Sequence, residues 1–318
     1  MREWKIGKND AGQRLDKFLT KALPALPTSL LYKSLRTKKI KRNRKRAEGN
    51  EILLEGDTLQ LFLKEEFFPD TEGGEDLSRV KPDLQVVYED ENILLLNKRP
   101  GVTVHEDDEG NTNTLLLHLQ AYLFGKGEYD PRREQSFAPA LCNRIDRNTG
   151  GIVIAAKNAE ALREMNEKIR LRRIEKYYLC AVHGAPSPAE ATLKAFLVKN
   201  EKTKEVKIYD RPVKDGKTIK TRYRTLKVKD GLSLLEVELL TGRTHQIRAH
   251  LAHVGHPLLG DGKYGHNKED RERGYKYQAL YSYRLVFPPD PDSSLLSYLN
   301  GKEFRIPYES VPFTSLFS

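Results

Sequence analysis

Three short stretches combine residue types and spacings that can do chemistry. In Asn143-Arg144-Ile145-Asp146-Arg147-Asn148-Thr149-Gly150-Gly151 a single carboxylate stands between two arginines, just before a glycine pair and an apolar strand. Neighbouring cations favour its charged form. A lone aspartate in a loop is more often an ion-pair partner than a catalyst. Yet polar, glycine-rich loops beside a buried strand are common carriers of function. The second stretch is Lys176-Tyr177-Tyr178-Leu179-Cys180. Strand alternation puts Tyr178 and Cys180 on one face and Tyr177 and Leu179 on the other. A strand tyrosine either packs or offers its flat ring to a nucleobase. The third runs from Thr241 through Gly242-Arg243-Thr244-His245-Gln246-Ile247-Arg248 to His250, and on to His256-Pro257. On a helix Ile247, Leu251 and Val254 form an apolar stripe, with Arg248 on its shoulder one turn from His245. A guanidinium at the edge of a core is costly without a carboxylate, and Asp146 is the candidate partner.

Hydrolysis of a glycosidic bond commonly uses two carboxylates, one of them a general acid. Here one aspartate stands with arginine, which argues against ordinary hydrolysis. A single ionised aspartate beside a flipped nucleotide can act as nucleophile, or as base at the sugar, with uracil recaptured in a closed pocket. Histidines 245, 250, 253 and 256 raise the question of zinc. At about 100° per residue His245, His250 and His253 spread over roughly 140° and do not converge on a tetrahedral centre. No metal is expected; packing and RNA contact account for them.

The elements that position these residues follow from periodicity. Leu15, Phe18, Leu19 and Leu23 recur at helical spacing, as do Leu31 and Leu35. Ile52–Leu54 and Leu59–Leu63 read as strands about the turn Glu55-Gly56-Asp57. Residues 1–65 are thus a small α/β domain. Residues 66–82, acidic and containing Pro69 and Gly73-Gly74, read as a flexible linker. From 83 to 318 the pattern is strand-rich. Leu84–Tyr88 and Ile93–Leu96 form a hairpin, and Gly151–Ala156, Tyr177–Val182 and Leu232–Leu240 are strands. A helix bearing Leu162, Met165 and Ile169 follows Asn158, and Gly242–Val254 turns into a helix closed by Gly255. Strands outnumber helices without strict alternation, so the fold class is α+β with a mixed sheet.

Lysine and arginine number 55 against 45 acids over 318 residues, a net +10. The first 65 residues hold 16 basic and 8 acidic residues, so most of the surplus lies there. Nine cations fall between Lys33 and Arg46 without an acid among them. Such a segment grips phosphates, with an affinity that falls steeply with salt. No apolar run is long enough to span a membrane. The amino terminus lacks an apolar signal segment. Two cysteines, Cys142 and Cys180, support no disulfide framework. The chain is expected in the cytoplasm.

Two resemblances sharpen this. Arg14-Leu15-Asp16-Lys17-Phe18-Leu19, Leu31–Arg36 and Ile40–Leu63 resemble the small RNA-binding domain first known from a small-subunit ribosomal protein, with Asn43-Arg44 where an asparagine-glycine turn is usual. From Val86 onward the chain resembles the RluA-type branch of RNA pseudouridine synthases. Val87-Tyr88-Glu89-Asp90, Asn97-Lys98, Pro100-Gly101, Arg144-Ile145-Asp146-Arg147, Lys176 with Tyr178, Gly242–Arg248, Gly255-His256-Pro257 and Gly260-Asp261 carry it. The resemblance implies a pseudouridine synthase fold with a mixed, largely antiparallel central sheet flanked by helices and loops. It also implies isomerisation of uridine in RNA without cofactor. Asp146 would be the essential carboxylate, Tyr178 the stacking and proton-handling residue, and Arg248 the partner that positions Asp146. Asn143, Asn148 and Gly150 depart from the family pattern of the catalytic loop.

The expected RNA contacts are Arg14, Lys33, Arg36, Lys38, Lys39, Lys41, Arg42 and Arg44 in the first domain, and Arg144, Arg147, Arg243 and His245 near the chemistry. The partner is expected to be ribosomal RNA of the large subunit, with a monomeric enzyme and no obligate protein partner. A transfer-RNA synthase, a non-catalytic ribosome-assembly factor and a base hydrolase are the competing readings.

Overall fold

A computed structural model of the chain describes residues 1–69, 76–106, 110–200, 203 and 205–318. It divides into two compact units. The first comprises Met1–Pro82, Leu117–Ala140 and Lys157–Glu160; the second comprises Asp83–Leu116, Leu141–Ala156 and Ala161–Ser318. The sequence pattern assigns all of 83–318 to one domain, whereas 117–140 and 157–160 group here with the amino-terminal residues. Side-chain bonds make the reason plain: the Ser136 hydroxyl donates to Asp10 at 2.7 Å, Gln13 to Ser136 at 3.0 Å, and Asn9 to Glu134 at 3.2 Å.

In the first unit the helices Leu15–Ala22 and Thr28–Arg36 lie where the periodicity places them. Leu15, Phe18, Leu19, Leu31 and Leu35 are buried in one core. Thr58–Leu61 pairs antiparallel with both Arg2–Lys5 and Ile40–Arg42, and Ile40–Arg42 pairs with Lys45–Arg46. The two-residue turn Asn43-Arg44 has φ of 50° and 66°, the positive values a tight hairpin demands. The expected strand Ile52–Leu54 reduces to a single bridge between Arg14 and Ile52. Its backbone is used instead by residues 12–15: Leu53 donates to Gln13 and accepts from Gly12. Phe68 packs in the same core and Leu77 is buried at a 3-10 turn. These ends of the expected linker are therefore structured, while its residues 70–75 lie outside the described ones.

The second unit is built on one large sheet. Among the described residues it has 11 strands. The strands Gly150–Ala156 and Leu280–Val286 pair in parallel, and the other strand pairs with a described register are antiparallel. Ile93–Lys98 lies beside Gly150–Ala156, and Glu175–His183 lies between Leu280–Val286 and Leu232–Glu238. The mixed, largely antiparallel sheet expected of an α+β fold is thus present. The run Glu190–Lys199, Val206–Tyr209 and Lys217–Lys229 widens it on one side. Gly150–Ala156 is buried along its whole length, which is why it reads as an uninterrupted apolar run. At Gly151, φ is 111° and a Cβ would sit 2.2 Å from the Ser282 carbonyl oxygen. Only glycine lets the two central strands meet there.

Candidate active site

Asp146 sits on the loop between Leu141 and the strand Gly150–Ala156, anchored by the buried Ile145 beside it. Three hydrogen bonds shape the loop. Asn143 Oδ1 accepts from the Ile154 amide at 2.8 Å, the Thr149 amide donates to the Asp146 carbonyl at 3.0 Å, and Gln278 donates to the Thr149 hydroxyl at 3.1 Å. Two departures from the family pattern are explained. Asn143 ties the loop to its strand. Gly150 leaves room for the Tyr281 ring, which a Cβ would meet at 2.3 Å.

Arg248 stands on the helix Gln246–His253, 7% exposed. Its Nη1 donates to Asp146 at 2.7 Å, the pairing expected from sequence. Its Nε and Nη2 make a fork on Asp261 at 2.7 and 2.9 Å. Asp261 is wholly buried and also accepts from the amides of Lys263 and Tyr264. Burial opposes the charge on Arg248, but the two carboxylates outweigh it and hold its pKa above the ordinary arginine value. Burial likewise opposes ionisation of Asp261; Arg248 and the backbone donors outweigh it and hold its carboxyl below the usual range. The guanidinium is therefore fixed by Asp261 and lends its remaining edge to Asp146.

The helix itself is entered through His245 in a left-handed conformation, φ 52°. Gln246 secures that turn, accepting from Thr241 Oγ1 at 2.9 Å and donating to the Lys220 carbonyl at 3.0 Å. Ile247 and Leu251 are buried as the stripe requires, whereas Val254 is 40% exposed because Gly255 ends the helix there.

Asp146, Tyr178, Arg248, Arg144, Arg147, Arg243 and His245 all line one cleft of about 610 Å³, together with Lys176 and His105. Tyr178 is 6% exposed, its partner across the sheet Val237. Burial and the nearby Asp146 charge raise its phenol to about 12, against a hydrogen bond with Ser282 that lowers it, so it keeps its proton at neutral pH. His245 Nε2 lies 3.9 Å from Asp146, and its Nδ1 is 2.9 Å from the Tyr264 hydroxyl. Burial lowers its pKa, with Asp146 opposing and Arg248 adding to the effect, which favours the neutral imidazole. The remaining histidines have separate partners: His250 with Thr221, His253 with Asp210, His256 with the His183 carbonyl.

Lys98 was legible only as part of a family motif. It is 1% exposed and donates to the carbonyls of Arg99, Val102 and Arg147 at 3.0, 2.9 and 2.8 Å. It ties the end of the strand Ile93–Lys98 to the residue after Asp146. Burial lowers its pKa to about 7, and Asp146 pulls it back upward. Asp261, Tyr264 and His105 also escaped sequence reasoning as site residues. Asp261 had a signal, an acid within a glycine-bounded motif downstream of Arg248.

Among the first unit's cations, Lys33, Arg36, Lys38, Lys39 and Arg44 are exposed. Lys41 lies over the Phe62 ring at 5.4 Å. Arg14 is already forked onto Asp16, and Arg42 is held by Asp57 and Glu51 at 2.5 and 3.2 Å. In the loop, Arg147 Nε donates to the Gly101 carbonyl at 3.3 Å.

A large mixed sheet holds an arginine-bound aspartate in a cleft rich in cations, with Glu106 also in its lining, an arrangement that fits an enzyme acting on RNA. The family profile described as RNA pseudouridylate synthase matches residues 92–253. A Mycoplasma pneumoniae protein named as an uncharacterized RNA pseudouridine synthase is 35% identical, over 86% of this chain and 84% of its own. A ribosomal large subunit pseudouridine synthase C of Vibrio vulnificus is 33% identical, over 83% of this chain and 80% of its own. The fold is shared with human RNA pseudouridylate synthase domain containing 1, with a TM-score of 0.55 at 24% identity, over 71% of this chain and 83% of that one. The chain belongs to the RNA pseudouridine synthase family, and it is an isomerase of uridine in RNA.

Proposed function

We propose that the substrate is large-subunit ribosomal RNA and that Asp146 is the catalytic carboxylate. The carrying observation is the Asp146–Arg248–Asp261 chain, in which Asp261 is buried and held by Arg248, so that Asp146 is the member whose carboxylate lines the cleft. Relatives named for the large ribosomal subunit, from Vibrio and Salmonella among others, support the target. The target uridine leaves its stack, at a cost of a few kcal/mol, and its base rests against Tyr178. Asp146 adds to the sugar C1′ or takes a sugar proton, and the N1–C1′ bond breaks. Uracil turns within the cleft and C5 bonds to C1′. C5 gives up its proton, N1 gains one, and the RNA mass is unchanged. Arg144, Arg243 and His245 border the cleft and hold the flanking backbone. The enzyme works as a monomer in the cytoplasm. Among the described residues no helix is long and apolar enough to cross a membrane.

Carbodiimide mapping of unmodified ribosomal RNA treated with the enzyme tests this. Wild type should give a mass-silent modification. Asp146→Asn should give none, with RNA binding nearly intact. Turnover by the variant would overturn the assignment of Asp146. Release of free uracil would indicate a hydrolase. Modification of transfer RNA alone would displace the ribosomal target.

A further inference from the structure

The strands Glu190–Lys199, Val206–Tyr209 and Lys217–Lys229 present two unlike faces. One is apolar: Ala195, Leu197, Val206 and Ile219 are buried with Ala249 of the helix Gln246–His253. Alternation turns Lys194, Phe196, Tyr209 and Lys220 to the other. In the register of the sheet Lys194 stands directly opposite Lys220, and Phe196 directly opposite Tyr209. Both lysines are exposed, Phe196 is half-buried and Tyr209 is 38% exposed.

Like charges placed directly across a strand pair repel. Further along the same strand the sheet avoids this: Arg222 pairs with Glu238 at 2.8 Å and Arg224 with Glu236 at 3.2 Å. Among the described residues neither Lys194 nor Lys220 has a carboxylate partner. The charge is compensated at one end of this face and left open at the other, beside two aromatic rings. Cations tracking a backbone with flat rings between them form the arrangement by which a sheet holds unpaired nucleotides. The strand that carries Lys220 also adjoins the cleft rim through its backbone. Thr241 Oγ1 accepts from the Lys220 amide at 2.8 Å, and Gln246 donates to its carbonyl; Gln246 lines the cleft together with Gly242 and Arg243.

We infer that this face is a second RNA-contact surface, which receives an unpaired stretch of the substrate flanking the target uridine. It rests on the pseudouridine synthase reading. Unpaired RNA is favoured over duplex because stacking on Phe196 and Tyr209 requires exposed base faces.

The test uses the full chain and an unmodified large-subunit ribosomal RNA transcript. Lys194→Glu with Lys220→Glu should reduce the salt slope of filter binding by about 2. Tyr209→Ala, at an exposed site, should raise KM about tenfold. In both variants kcat at saturating RNA should equal that of wild type, because none of the three residues touches the reacting base. Ultraviolet irradiation should crosslink the transcript to the Tyr209 peptide. Unchanged KM and unchanged salt slope in an active background would overturn the inference. A shift from dimer to monomer in the variants, on gel filtration, would assign the face to protein contact and overturn it equally. Absence of pseudouridine from wild-type reactions would instead refute the enzyme's proposed target, while filter binding still judges this face.

Discussion

At the scale of single residues, the site turns on how one guanidinium serves two carboxylates. The sequence suggests Arg248 as a partner for Asp146 alone, and so a variant in which catalysis suffers more than folding. The buried Asp261 changes that expectation. Arg248→Met would strand a fully buried carboxylate, and breaking a buried pair costs about 3–5 kcal/mol. The melting temperature should therefore fall together with activity. Adding Asp261→Asn removes the stranded charge and leaves an oxygen for the Lys263 and Tyr264 amides. Thermal melts should show stability largely regained in the double variant, and carbodiimide mapping should show that activity is not. Recovery of activity alongside stability would mean that Arg248 is structural only.

At the scale of elements, the helix Gln246–His253 must stay seated on the strand Lys217–Lys229 for Arg248 to reach Asp146. His250, 1% exposed, joins the two through Thr221 at 3.0 Å. Burial lowers its pKa to about 4, with the nearby His253 adding to the effect and Asp210 opposing it. The unfolded chain then takes up a proton near the ordinary histidine value while the folded one resists it. The stabilisation from neutral His250 is complete above about pH 6.5 and is lost as pH falls toward 4, by about 3 kcal/mol at most. Urea midpoints of wild type and His250→Gln should differ at pH 7 and converge by pH 4.5; parallel pH curves would refute this coupling. The helix and the strand Leu232–Glu238 were legible because apolar spacing and glycine punctuation agree there. The strand Lys217–Lys229 was not, since its exposed face carries Lys220, Arg222 and Arg224 over a mixed inner face. Nor was the helix Leu115–Gly125, apolar on nearly every side and so without helical period. Asp146 and Tyr178 were legible from their neighbours in sequence. Asp261 was not derivable as the third member, because its partner is 13 residues upstream and the turn between them has no period to read.

At the scale of the whole molecule, the +10 net charge is concentrated in the first 65 residues, which reads as a gripping module apart from the chemistry. Deleting those residues is the obvious test, but the first unit also holds 117–140 and 157–160. Ser136 and Ala159 would lose Asp10 and Asn9 as partners, so a truncation would confound weakened grip with damaged fold. Neutralising surface cations avoids this. Lys33, Arg36 and Lys39 are exposed, and among the described residues none has a carboxylate partner, unlike Arg14 and Arg42. Changing the three to glutamine should leave the melting temperature and kcat at saturating RNA unmoved. It should weaken binding and make log K against log salt shallower by about 2–3, one increment for each phosphate no longer neutralised. If filter binding over a salt series returns the wild-type slope, the basic helix of the first unit does not touch the RNA backbone, and the surplus charge there serves something other than grip.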